Sequence, residues 1–136
     1  MKEKHTDATP QRPDGGRSID SSLLFMDLPV LMEQIKNEAA WKTSDRNAIT
    51  VFKSENMRIV LIALHEGTEV KRHTANGTIS VQVMEGQIKF STDKQSLQLN
   101  KGQMLTLHER IPHSVLAIKE AMFLLTLSVN MPEKQG

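Results

Sequence analysis

His73 and His113 are the side chains of this chain best placed to do chemistry. An imidazole titrates close to neutral pH, ligates first-row metals through either ring nitrogen, and moves protons. Each of the two stands at an end of an expected strand. His73 closes Glu69-Val70-Lys71-Arg72-His73, and His113 opens His113-Ser114-Val115-Leu116-Ala117-Ile118. Three uses are open to such a pair. The rings can be buried polar groups bonded to each other, to water or to backbone. They can hold a carboxylate or enolate, or pass a proton, in a binding pocket, with Arg58, Arg72 and Arg110 as partners for an anion. Or they can ligate a divalent metal, for which His65 and His108 would be the supplementary ligands. Each of those last two precedes a glutamate, Glu66 and Glu109, but strand neighbours point to opposite faces, so the pairs read more simply as solvated turn residues. With no cysteine, thiolate sites, disulfides and a cysteine nucleophile are excluded. Neither a phosphate-binding glycine loop nor an H-E-x-x-H helix occurs, and no Ser-His-Asp order survives a parity check.

The elements that position the pair centre on Gly67 to Gly86. A strand ends at His73, a tight turn follows at Asn76-Gly77, and a second strand alternates strictly. Ile79, Val81 and Val83 share one parity, and Ser80, Gln82 and Met84 the other. His73 and Ala75 have the parity of Ile79, which directs all of them into one interior. The expected ligand pocket is therefore walled by His73, Ala75, Ile79, Val81, Val83, His113 and Val115, with His73 and His113 as the metal candidates.

Around that stretch, residues 1–20 read as a flexible tail, too poor in large apolar side chains to offset their ordering entropy; His5 is solvated there. Residues 21–46 hold one helix, Leu28 to Ala39, capped by Asp27, with Pro29 in its first turn and Leu28, Leu31, Met32, Ile35 and Ala39 on one stripe. Met32 is core filler, and Trp41 falls in a polar loop, where it anchors the helix or covers a pocket mouth, anchoring being the preferred role. Residues 47–131 alternate short strands with turns at Ser54-Glu55-Asn56, His65-Glu66-Gly67, Glu85-Gly86-Gln87, Thr92 to Gln95, Asn100-Lys101-Gly102 and Lys119-Glu120-Ala121. Nine or ten short strands with one helix define an all-β sandwich or barrel. Ile59–Leu64, Val115–Ile118 and Met122–Leu127 are apolar on both parities and must be covered on both faces. The second cover is the helix or another subunit, and a homodimer is expected.

At 136 residues the chain makes one domain with a proper core. Its net charge of +1, with both signs spread throughout, offers no basic stripe for nucleic acid. No apolar run approaches a membrane span, and the N-terminal residues lack a signal-peptide core. A soluble cytoplasmic protein is expected, which makes the Asn76-Gly77-Thr78 triplet a turn sequence and not a glycan site.

From Val51 to Val129 the chain resembles the cupin superfamily. The first cupin motif runs G-x5-H-x-H-x3,4-E-x6-G; here Gly67, His73 and Gly86 match, while Ala75 and Ile79 replace the second histidine and the glutamate. The second runs G-x5-P-x-G-x2-H-x3-N; Gly102 and His113 match, with His108, Arg110 and Ala117 at the other positions. The resemblance implies a double-stranded β-helix, or jelly-roll barrel. It also implies a four-ligand metal site, of which only His73 and His113 remain. A small-molecule-binding or non-catalytic barrel with an unidentified ligand is the expectation, with no cofactor required. The competing reading is a divalent-metal oxygenase or isomerase with a reduced ligand set.

Overall fold

The computed structural model describes residues 19–129. His5 and most of the expected tail lie outside them. Ile19 and Asp20, grouped with the tail on composition, are buried, and Lys53 donates its backbone N–H to the Ile19 carbonyl at 2.9 Å.

The first helix, α1 (Leu28–Asn37), begins where Asp27 turns from extended backbone and its Oδ1 accepts the Val30 N–H at 3.3 Å. Leu31 and Ile35 bury its inner stripe. The helix expected to reach Ala39 stops at Asn37, because Glu38 is extended, with φ −82 and ψ 152. A second short helix, α2 (Ala39–Thr43), follows, so the expectation of a single helix is corrected. The break is tied to the sheet by Asn47. Its buried Nδ2 donates to the Ile35 carbonyl at 2.9 Å and to Glu38 Oε1 at 3.0 Å. Trp41 consequently sits in α2 rather than in a loop, and it is buried against Leu31, Ile35 and Leu61 as an anchor.

Nine strands follow among the described residues: β1 (Arg46–Lys53), β2 (Met57–Leu64), β3 (Glu69–His73), β4 (Gly77–Glu85), β5 (Gln87–Thr92), β6 (Ser96–Asn100), β7 (Met104–Leu107), β8 (His113–Ala117) and β9 (Ala121–Val129). They form two antiparallel sheets, β1-β2-β9-β4-β7 and β3-β8-β5-β6, packed face to face as a jelly-roll barrel.

Two of the expected turns do not join neighbouring strands of one sheet. β3 and β4 lie in opposite sheets, as do β4 and β5, so Asn76-Gly77 and Glu85-Gly86-Gln87 carry the chain across the barrel. Crowding explains both glycines. A Cβ on Gly77 would collide with the Ser128 carbonyl, and Gly86 combines φ +78 with the Glu120 carbonyl where a Cβ would stand.

The two-sided strands acquire two covers. Leu64 of β2 and Phe123 of β9 face the barrel core, whereas Leu61, Ala63 and Met122 face outward beneath α1 and α2. Fully burying a side chain such as Ile35 contributes about 1.5–3 kcal/mol. That suffices for a helix of this length, too short to persist alone in water, to stay docked. In β8, Val115 and Ala117 join the core, while Leu116 and Ile118 stay partly exposed.

Candidate functional site

β3 and β8 are neighbours, and His73 is the cross-strand partner of His113. A bulge creates the match. Val70 pairs with Val115, three residues before His73 but only two after His113, so one extra residue of β3 is taken up between them. Without it His73 would fall on the face opposite Val70. With it, the rings meet with centroids 4.4 Å apart and planes tilted by 59°.

The two histidines are held alike. His73 Nδ1 lies 2.7 Å from the Lys71 carbonyl, and His113 Nδ1 lies 2.9 Å from the Ile111 carbonyl. A carbonyl oxygen only accepts, so each Nδ1 carries the hydrogen, and each neutral ring keeps its lone pair on Nε2. Phe90 of β5 stacks on His113 at a centroid distance of 5.3 Å and 12° between planes, and Thr92 is the strand partner of His113 on that side. His113 is 4 % exposed, whereas His73 is exposed at the rim. Among the described residues no buried side-chain nitrogen or oxygen lacks a partner. The His113 Nε2, which bonds to none of them, is therefore an edge still open to solvent.

Burial lowers the pKa of His113 from its usual 6.5, partly opposed by the Ile111 hydrogen bond and reinforced by the charge of His73. At neutral pH His113 thus presents an acceptor rather than a cation.

The expected pocket walls divide. Ile79, Val81, Val83 and Val115 are all buried in the main barrel cluster, and Ala75 packs against it half-buried. A small cavity of about 60 Å³ opens on the β5–β6 side instead, lined by Phe90, Thr92, Gln95, Leu97, Leu105, Thr106 and Leu107. Phe90 and Thr92 are the site residues that sequence reasoning missed. The inward parity of Ile88 and Phe90 signalled the first, while Thr92 needed the β5–β8 register.

The supplementary histidines do not join. His65 stacks on Trp41 with ring centroids 3.5 Å apart, and its Nε2 lies 2.7 Å from the Trp41 carbonyl on the helix side of the sheet. It is a packing residue there and not the solvated turn residue expected. His108 is exposed in the β7–β8 loop, and no interaction joins it to either ring among the described residues. Of the arginines, Arg72 is held by Asp93 at 2.7 Å. Arg110, at φ 60, donates its backbone N–H to the Ala75 carbonyl, which ties the two rim loops together. Arg58 is opposite Leu127, which is opposite Ile79, so the register puts it on the inner face of its sheet at the end of the barrel.

Two imidazoles make a poor metal site. No group of three or more His, Cys, Asp or Glu that could hold an ion occurs among the described residues. Ala75 and Ile79, at the positions where the cupin motif has ligands, offer no donor atom. Structural sites ordinarily use four ligands and catalytic ones three.

No protein-family model matches the chain, and no curated protein matches it. Solved structures do. A conserved protein of unknown function from Streptococcus pyogenes superposes with a TM-score of 0.66 at 19% identity, over 84% of this chain and 93% of its own. An RmlC-like cupin from Desulfovibrio desulfuricans gives 0.57 at 28% identity, over 61% and 81%. A salicylate 1,2-dioxygenase from Pseudaminobacter salicylatoxidans gives 0.57 at 22%, over 62% of this chain and 26% of that one. The chain thus shares the fold of the cupin superfamily.

Proposed function

We propose that this protein is a non-catalytic, small-molecule-binding cupin whose ligand is held at the rim by His73 and His113. The carrying observation is the shared tether of both rings: Nδ1 is spent on a carbonyl two residues back, leaving Nε2 of each neutral ring as an acceptor, with the ring centroids 4.4 Å apart. Such a pair suits a ligand that offers hydroxyl or N–H donors. Arg58, on the inner face at the same end, supplies a cation for a carboxylate, so a small hydroxy acid fits this donor set best. The cysteine-free composition is compatible with a reducing cytoplasm.

Amide NMR titration with a panel of small hydroxy acids tests the reading. Saturable shifts at His73, His113 and Thr92 that vanish in His73→Ala/His113→Ala are expected. Either absence of binding across the panel or turnover of one of its members would overturn it.

A second reading, a metal-dependent oxygenase or isomerase with a reduced ligand set, has one observation in its favour. Metal-ligating histidines also hold their second ring nitrogen on a carbonyl or carboxylate. Elemental analysis of untagged protein discriminates: near-stoichiometric metal that disappears in the double variant would select it over the binding module.

A further inference from the structure

We propose that two copies of this chain associate by exchanging the segment before α1, the Leu23 and Phe25 side chains of each copy entering a methionine-lined groove on the other. Between Leu23 and Leu28 exposure alternates strictly. Leu24, Met26 and Leu28 are half-buried, and the last two pack on the helix-side core; Leu23 is 90 % and Phe25 87 % exposed. This is an extended stretch apolar on both faces, with one face covered by its own chain. A phenylalanine withdrawn from water buries on the order of 150–250 Å², so leaving both large side chains solvated forfeits a sizeable gain.

The matching concavity lies on the other side of α1. The helix covers β1 and β2 but leaves the outer face toward β4 open, where Pro29, Met32, Met84 and Met122 line a groove of about 490 Å³. That volume accommodates side chains of the size of Leu and Phe, and flexible thioethers adapt to an inserted ring. Met104, 57 % exposed on β7, extends the apolar surface along the same face, because it is the register partner of Gln82 on β4.

The rim charges favour a second copy over an unrelated partner. Lys36 is engaged by Glu120 at 3.0 Å and Glu85 at 3.8 Å. Glu33 and Lys101, also on the rim, are in no ion pair among the described residues. One free acid and one free base on a single patch are self-complementary under a two-fold axis, where each contact occurs twice. Adding Val30, 57 % exposed beside the groove, gives each copy an anchor pair, a receiving groove and a mixed-charge rim, the anatomy of a stable interface.

Sedimentation of the full chain at about 10 μM tests this, together with Leu23→Ser/Phe25→Ser and, separately, Met84→Glu. A species of twice the 15.3 kDa chain mass is expected for the natural sequence. Each variant should raise the dimer dissociation constant at least tenfold with an unchanged circular dichroism spectrum. Because the chain has no cysteine, Phe25→Cys and Met84→Cys proteins can be mixed and oxidised. A disulfide between the two different chains is expected, which keeps the idea testable if a core-facing variant misfolds. A monomeric natural sequence, a dimer indifferent to both variants, or an intramolecular disulfide in a chain carrying both cysteines would overturn it, the last by showing that the segment fills its own groove.

Discussion

His73 and His113 face each other across β3 and β8 with ring centroids 4.4 Å apart, each fixed by its Nδ1 to the carbonyl two residues earlier. Nothing in their sequence separation requires this, and the bulge that absorbs one residue of β3 is what makes them partners. Loss of either ring should therefore disable the site unequally. His113→Ala removes a buried ring stacked on Phe90 and should cost about 1–3 kcal/mol of stability as well as binding. His73→Ala, at the exposed rim, should impair binding with melting temperature nearly unchanged. Chemical denaturation beside ligand titration separates the two.

The depressed pKa of His113 makes stability depend on pH in one direction. The unfolded chain protonates this imidazole near its usual 6.5, whereas the folded chain resists until lower pH, so the unfolded state binds more protons in that window. The stability associated with the neutral ring is full above about 6.5 and is lost as pH falls toward the folded value. The natural sequence should lose more melting temperature between pH 7.5 and 5.5 than His113→Asn does, measured in parallel. Equal losses would show that another group carries the dependence.

Two glycines that flank β3 should answer differently to alanine. Gly77→Ala drives a methyl into the Ser128 carbonyl, a backbone atom that cannot step aside, and about 3 kcal/mol or more of destabilisation is expected. Gly67, at φ +84 with open space around it, should cost only about 1 kcal/mol from backbone strain. Urea unfolding of the two variants gives the comparison directly.

Asn47→Ala withdraws donors from the Ile35 carbonyl and the Glu38 carboxylate where α1 ends. Since acceptors buried without their donor cost about 1–3 kcal/mol each way, the helices should loosen before the barrel does. Fluorescence of Trp41, the only tryptophan, reports that step. An early fluorescence transition ahead of the loss of β-sheet dichroism is the expected outcome.

The sequence by itself determined the succession of short strands and turns, the Asp27 cap, the coverage required by two-sided strands, and the loss of ligand atoms at positions 75 and 79. Those are local properties: a period of two, a capping side chain, and the chemistry of alanine and isoleucine. It could not determine which sheet each strand joins, since Asn76-Gly77 and Glu85-Gly86-Gln87 have the composition of hairpin turns and only packing against Ser128 and Glu120 makes them crossings. Nor could parity foresee the β3 bulge that turns His73 toward His113, or the stack on Trp41 that removes His65 from the site. Those outcomes depend on contacts between residues tens of positions apart, and only the tertiary fold brings such residues together.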